Sequence, residues 1–160
     1  MTRLAKPRAL PINGASEDLG EVLDFMQLVW AVDHGLQSLS KRMKTEMGVT
    51  GPQRFTLRMI GRKPGISAGA LASLLRLDPS TLTGVLQRLE RDGAIKRVSD
   101  PQDRRRALFA LTPRGRTLDG AKTRTVEAAV RRALASVSRA QLQSARVVMA
   151  ALVRELEGDG

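Results

Sequence analysis

DPSTLTGVLQRLERDGAIKR at residues 78–97 and DPQDRRRALFALTPRG at residues 100–115 are the stretches on which the fold depends. Asp78-Pro79-Ser80 predicts a helix start, because an acid that can cap the helix precedes a proline near its first position. The helix ends at Asp92-Gly93, a common helix end, and one face of it carries the apolar residues Leu82, Val85, Leu86 and Leu89, which are predicted to be buried. Turn residues separate the two strands predicted to follow, at residues 94–98 and 106–111.

Three more helices are predicted upstream. One begins at Gly51-Pro52 and stops before Pro64-Gly65, and its apolar set is Phe55, Leu57, Met59 and Ile60. Ser67 caps a second, short one. Closer to the N-terminus, apolar residues recur at helical steps from Ser16 to about Gly48. This spacing predicts one long amphipathic helix before the two shorter ones.

Downstream, Thr112-Pro113 caps a helix predicted to run to about Val137, and a last helix is predicted from about Arg139 to Glu157. The apolar residues of the last helix follow the spacing of a heptad seam: Leu142, Ala145, Met149, Leu152 and Leu156. Such a seam requires a partner helix. A homodimer is the economical solution, and a helical pair within one chain is the alternative.

The predicted fold class is mainly α with a small β-hairpin wing, a winged helix-turn-helix between N- and C-terminal dimerisation helices. The predicted divisions are a flexible arm at 1–16, a dimerisation helix at 17–50, the winged helix-turn-helix at 51–116 and C-terminal dimerisation helices at 117–160.

Positive charge is concentrated in the centre of the chain. Residues 51–116 hold 14 Lys or Arg and five Asp or Glu, a net charge of +9, whereas residues 1–50 net zero and residues 117–160 net +2. Positive charge concentrated in one segment indicates a surface that binds a polyanion. Together with the helix-turn-helix pattern, it predicts binding to double-stranded DNA.

Composition excludes several other classes. There is no Cys and only one His, so disulfides, thiol redox sensors and ordinary metal sites are not expected, and no cofactor is predicted. No apolar run approaches the roughly 20 residues of a membrane span. No nucleophile, base and orienting group stand at a familiar spacing, so no enzyme is predicted. A cytoplasmic location is expected.

The DNA-facing residues follow from the helix pattern. With its apolar face buried, the helix at 80–91 turns polar and basic side chains outward, and its N-terminal end would lead into a major groove. The predicted contacts on this face are Ser80, Thr81, Thr83, Gly84, Gln87 and Arg88. Ser67 and Arg54 are predicted to contact phosphates, which fix position without reading sequence. The alternative for each is a cap or a solvated side chain.

The turn between the two strands carries Asp103, Arg104, Arg105 and Arg106. Arginine at a wing tip can enter the minor groove, where narrow A·T tracts concentrate negative potential. A solvated charge run is the alternative, and it is weaker here because the surrounding block is already strongly positive. A different function would be that of a sequence-tolerant architectural or RNA-binding protein, although the scarcity of aromatic residues argues against RNA.

These residues resemble the winged helix-turn-helix of MarR-family transcriptional regulators. The resemblance lies in the two stretches quoted above, in the wing pattern of Asp100, Asp103, Arg105 and Thr112, and in one helix before and two after the basic block. It implies a homodimer that binds a pseudo-palindromic operator, usually as a repressor. It also implies that Arg105 enters the minor groove and that Asp103 supports it. Members of this family often have a basic or larger polar residue at the position of Gly84, so this chain differs from them at that point.

The resemblance further implies release of DNA by a small, often aromatic and anionic ligand bound between the dimerisation helices and the DNA-binding lobe. The candidate ligand contacts are Met26, Trp30 and His34, which follow one another at four-residue steps on the first helix. The alternative is that Met26 and Trp30 belong to the core and that His34 is a polar neighbour.

Overall fold

A computed structural model describes residues 20–103 and 106–158 of the chain. The predicted arm at residues 1–16 and the predicted helix cap at Ser16 lie outside the described residues. So do the wing residues Arg104 and Arg105.

The described residues form helices and three short strands. In chain order these are α1 (Glu21–Met47), α2 (Gly51–Arg62), β1 (Ile66–Ser67), α3 (Ala68–Leu75), α4 (Pro79–Arg91), β2 (Ile95–Ser99), β3 (Ala107–Leu111), α5 (Pro113–Gly120), α6 (Val126–Leu134) and α7 (Arg139–Gly158). The predicted fold class, mainly α with a hairpin wing, is confirmed. The chain divides into two compact units, one ending at Gly35 and the other beginning at Leu36. The divisions predicted at residues 50 and 116 lie inside the second unit and stay predictions.

The core of the second unit lies where α2, α3 and α4 meet the small sheet. Leu57 and Ile60 of α2, Leu71 of α3 and Leu89 of α4 are fully buried. Phe109 of β3 joins the same cluster. Burying such side chains stabilises the fold by about 1.5–3 kcal/mol each. The core therefore fixes α4 against the sheet that carries the wing.

The sheet contains a strand that the sequence pattern did not predict. Its order is β1-β3-β2, with both pairings antiparallel. Ile66 of β1 pairs with Phe109, and the N–H of Gly65 donates to the carbonyl of Phe109 at 3.0 Å. A strand of two residues is too short to show an alternating pattern, so only the tertiary pairing reveals it.

The helix predicted from Thr112 to about Val137 is two helices, and that prediction was wrong. α5 ends at Gly120, and α6 begins after Thr125, whose hydroxyl accepts the N–H of Ala128 at 3.2 Å. Between them Arg124 has a φ of 56°, in the left-handed region. Thr125 is an N-cap, which ends one helix and starts another more readily than it continues one.

Phe55 was expected to share the apolar face of α2 with Leu57 and Ile60, but its side chain is 48% exposed. The α4 prediction was accurate: its four predicted core residues, Leu82, Val85, Leu86 and Leu89, are all buried.

Gly115 is held where no side chain fits. A Cβ at this position would overlap the carbonyl oxygen of Ala94, because α5 starts directly against the chain that leads into β2. Thr112 fixes the same approach, since its hydroxyl donates to the carbonyls of Gly93 and Ala94 at 2.6 and 3.1 Å.

We therefore expect Gly115→Ala to lower the free energy of unfolding by about 1–3 kcal/mol, as in other overpacked sites. Gly69→Ala is the matched control, because a Cβ there meets nothing within 4 Å in helix α3. Chemical denaturation of both variants measures the difference. Equal stability of the two variants would show that the contact with Ala94 relaxes without cost.

Candidate nucleic-acid interface

The N-terminal end of α4 is built by its cap. The carboxylate of Asp78 accepts the backbone N–H groups of Ser80 at 2.8 Å and Thr81 at 3.4 Å, and Pro79 occupies the first turn. The hydroxyl of Ser80 also donates to this carboxylate. These bonds satisfy N–H groups that the helix itself leaves unpaired. The end of the helix that would lead into a groove is thus rigidly defined.

The outer face of α4 is polar and open. Most of the predicted contacts on α4 are exposed, and Gly84 is half-buried; the set is Ser80, Thr81, Thr83, Gly84, Gln87 and Arg88. The opposite face packs into the core. The helix therefore presents all six predicted residues along one outer surface, as a reading helix in a major groove requires.

Two hydroxyls on this face already have intramolecular roles. Ser80 donates to Asp78, and Thr83 donates to the carbonyl of Pro79 at 2.8 Å. Each hydroxyl oxygen keeps lone pairs that can accept a hydrogen bond from a base amino group. Because the donor hydrogens are committed, Ser80 and Thr83 present acceptors and carbon atoms to a molecule that approaches this face.

Gly84 forms the floor of a shallow notch. The depression holds about 310 Å³ and is lined by Ser80, Thr81, Gly84, Val85 and Arg88. A Cβ at Gly84 would meet nothing within 4 Å, so packing inside the protein does not require glycine here. The notch instead allows a partner molecule to approach the helix backbone closely.

Before α4, the turn of the helix-turn-helix is made by a non-glycine residue with left-handed backbone. Arg76 ends α3 with a φ of 49°, and its N–H donates to carbonyls of the last turn of α3. Its side chain pairs with Glu157 at 3.2 Å, which joins the turn to the end of α7. Ser67 caps α3, and its hydroxyl accepts the N–H of Ala70 at 3.3 Å. The hydroxyl hydrogen of Ser67 can still donate to a phosphate.

The wing tip is closed by backbone hydrogen bonds around the predicted arginines. The N–H of Asp100 donates to the carbonyl of Arg106 at 3.3 Å, and the N–H of Arg106 donates to the carbonyl of Asp103 at 2.9 Å. Arg106 is exposed, and its guanidinium lies 4.0 Å from the carboxylate of Asp100. Asp103 and Arg106 thus share one turn, and Arg104 and Arg105 connect them outside the described residues.

Sequence reasoning missed the tie between the wing and α4. Arg97 of β2 bonds to the carboxylate of Glu90 on α4 at 3.0 Å and stacks over the ring of Phe109, 5.8 Å from its centroid. The pair connects the wing to the end of α4, and as a partly exposed ion pair it contributes little to stability. The only sign of this contact in the sequence was an acidic residue near the end of one helix and a basic residue on the strand that follows it.

Arg54 requires a correction. It was predicted to contact a phosphate, but its side chain is only 2% exposed and is paired with Glu127 at 3.1 Å. It also donates to backbone carbonyls at the end of α5. A guanidinium committed to this many partners has no donors facing solvent for DNA. Arg54 therefore belongs to the interior of the protein.

The candidate ligand contacts lie on α1, in the unit that ends at Gly35. Met26 is half-buried, and Trp30 and His34 are exposed. Trp30 is 62% exposed, so it is not a core residue of the single chain. The ligand assignment stays a prediction.

Comparison with known proteins identifies the family. The sequence pattern of the MarR family matches residues 49–107. An HTH-type transcriptional repressor from Mycobacterium tuberculosis is 35% identical over 95 residues, which cover 59% of this chain and 68% of the repressor. The chain belongs to the MarR family. An HTH-type transcriptional regulator, TtmR, from Methylorubrum extorquens is 34% identical over 58% of this chain, and the chain spans 47% of that relative.

Solved structures agree with the fold. The Staphylococcus aureus MepR–DNA complex superposes with a TM-score of 0.70 at 22% identity, covering 82% of this chain and 97% of that one. The protein is thus a winged-helix member of the MarR family, and its relatives are transcriptional regulators rather than enzymes.

No helix in residues 20–103 and 106–158 combines the length and apolar character needed to cross a bilayer. In the same part of the chain, His, Asp and Glu form no group of three that could hold a metal ion.

In this MarR-family chain, the hydrogen bonds of the α4 cap also lower the pKa of Asp78. The Ser80 hydroxyl first, and then the N–H groups of Ser80 and Thr81, hold the pKa of Asp78 below its ordinary value of 3.8. Since the folded-state pKa is depressed, the charged cap stabilises the protein above pH 3.8. This contribution is lost as the pH falls through the lower folded-state pKa.

We expect Ser80→Ala to raise the pKa of Asp78 towards 3.8, because the largest cause of its depression is removed. Carboxyl NMR titration measures this pKa directly. Thr83→Ala is the control, since its hydroxyl bonds to Pro79 and not to Asp78. An unchanged pKa in Ser80→Ala would mean that the hydroxyl does not hold the cap in solution.

Proposed function

We propose that the protein is a homodimeric repressor that binds a pseudo-palindromic DNA operator, with α4 in the major groove and the wing in the minor groove. The observation that carries the proposal is the two-sided character of α4. One face is sealed in the core, and the other presents small polar groups followed by a basic side chain. The repressor role is supported by the relative from Mycobacterium tuberculosis, which is named a transcriptional repressor.

The composition of α4 suits base recognition. Near its N-terminal end, Ser80, Thr81 and the Gly84 notch leave room for base edges and thymine methyl groups. One turn later Gln87 offers the paired donor and acceptor that match adenine, and Arg88 suits guanine or a phosphate. The absence of bulk at the tip allows the helix to enter the groove deeply.

The proposed homodimer rests on apolar surface that the single chain does not cover. On α7, Met149 is 48% and Leu156 is 71% exposed, and both belong to the predicted heptad seam. No described residue of α7 is buried. In the other unit, Val22 and Val32 of α1 are 71% and 60% exposed. Exposed apolar residues on these helices support association with a second copy, and a twofold dimer matches a palindromic operator.

Selection from a random duplex library at about 150 mM salt tests the function, with the mass of the protein in solution measured alongside. We expect an enriched inverted repeat, with half-sites about 34–36 Å apart, and the mass of a dimer. Weak binding to all sequences that vanishes as salt rises would instead indicate an architectural protein.

Two substitutions assign the reading elements on the selected operator. Arg105→Ala should weaken binding about tenfold or more, because it removes a minor-groove contact. Arg132→Ala, at an exposed position of α6, removes the same charge and serves as its control. Gln87→Ala should reduce discrimination between operator variants more than nonspecific binding. An equal loss on every sequence would place Gln87 among the phosphate contacts, and equal behaviour of the two arginine variants would remove Arg105 from the minor groove.

The proposed effector is a small aromatic anion that contacts Met26, Trp30 and His34. Trp30 is the only tryptophan of the chain, so its fluorescence reports on this stripe alone. We expect benzoate, used as the probe, to change the fluorescence saturably and to release DNA over the same concentration range. His34→Ala should weaken both effects, and Asp33→Ala, at an exposed neighbour, should not. DNA release without a fluorescence change would place the effector elsewhere.

A further inference from the structure

Arg54 is the most deeply buried charged side chain among the described residues, and no contact with DNA explains it. It lies on α2, within the DNA-binding lobe, but its partners stand 64 to 73 residues further along the chain. They belong to the junction between α5 and α6. Arg54 therefore joins the lobe to the segment that leads into the C-terminal helices.

The guanidinium caps the end of α5. Its terminal nitrogens donate to the carbonyl of Leu118, to that of Asp119 at 3.2 Å and to that of Ala121 at 2.7 Å. Carbonyls in the last turn of a helix lack partners within the helix, and the negative end of the helix dipole favours a cation there. Arg54 thus supplies from α2 what the end of α5 lacks, and α5 stops at Gly120.

The same guanidinium holds the start of α6. Its Nε lies 3.1 Å from the carboxylate of Glu127, in the first turn of α6. Arg58, one turn along α2, pairs with the carboxylate of Asp119 at 2.9 Å and lies 3.8 Å from that of Glu127. Two cations on α2 therefore bracket two acids, one at the end of α5 and one at the start of α6.

This bracket resists rearrangement. Arg54 has no access to water that could replace its protein partners, and a buried charge that loses its partners is strongly unfavourable. A planar guanidinium also fixes direction, because its N–H groups point along set lines. The angle between α2 and α6 is consequently held by hydrogen-bond geometry, and α7 follows α6 after only a short turn.

We propose that Arg54 is a positioning residue that fixes the angle of the DNA-binding lobe on the helices α6 and α7 and thereby sets the half-site spacing that the protein accepts. The inference rests on the proposed function, since spacing has meaning only for a dimer on an inverted repeat. One extra base pair moves a half-site along the DNA and rotates it by about a tenth of a turn. A dimer in which the junction between α5 and α6 is rigid loses affinity when the half-sites shift, whereas a dimer with a flexible junction keeps its affinity.

The test uses the operator selected from the random library and versions whose half-sites are separated by one or two base pairs more or fewer. Binding of the full-length protein to each duplex, and to a single half-site, is measured at about 150 mM salt. We expect the wild type to lose about tenfold or more in affinity when the spacing changes, comparable to a mismatched base pair. Arg54→Lys should reduce this loss to about threefold and leave half-site affinity within about twofold, because lysine keeps the charge without the fork of donors.

Arg54→Met and Glu127→Gln extend the series, and Arg62→Met, on the exposed surface of α2, is the matched control that should keep the wild-type spacing profile. Circular dichroism and solution mass show which variants remain folded dimers. If Arg54→Met fails to fold, Arg54→Lys and Glu127→Gln decide the question.

Two results would overturn the inference. A folded Arg54→Lys and Glu127→Gln with the spacing profile of the wild type would show that the bracket does not set spacing. An equal loss of affinity on every duplex, half-site included, would show a role in stability alone. If the wild type itself selects no inverted repeat, the proposed function fails first, and the inference falls with it.

Discussion

The structure depends on one buried cation. Arg54 replaces water entirely with protein partners, three of which are carbonyls at the end of α5 and one a carboxylate at the start of α6. Since an unpaired charge is strongly unfavourable in the interior, the chain between α5 and α6 must stay where these groups meet it. Together with the Thr125 cap, this requirement holds the end of α5 and the start of α6 in place.

A second constraint acts on α4, because one of its faces is buried in the core and the other is exposed to solvent. Its inner face is fixed by the burial of leucine and valine against the sheet. Its outer face carries polar groups that do not pack into the core and remain exposed. The Asp78 cap and the Glu90–Arg97 pair hold the two ends of α4, one by hydrogen bonds and one through the wing. In the proposed complex with DNA, a surface that is ordered before binding lowers the entropic cost of association.

Much of this was predictable from local patterns. Periodicity alone identified the four buried residues of α4, and turn chemistry located the hairpin. The predictions failed where a distant residue decided the outcome. The end of α5 contacts Arg54 from another helix, and β1 exists only through its pairing with Phe109. Arg54 itself was misjudged because a basic residue in a basic segment resembles a surface contact until its burial is known.

By itself, the sequence determined the fold class, the order of most of the helices, the basic centre and the face of α4 that turns outward. These are properties of neighbouring residues, since helix and strand periods and capping signals act over a few positions. Only the tertiary structure decided which arginine is interior, where α5 ends and how the wing is tied to α4. Those outcomes depend on carbonyls and carboxylates that come together from distant parts of the chain, and no local sequence pattern indicates such long-range contacts.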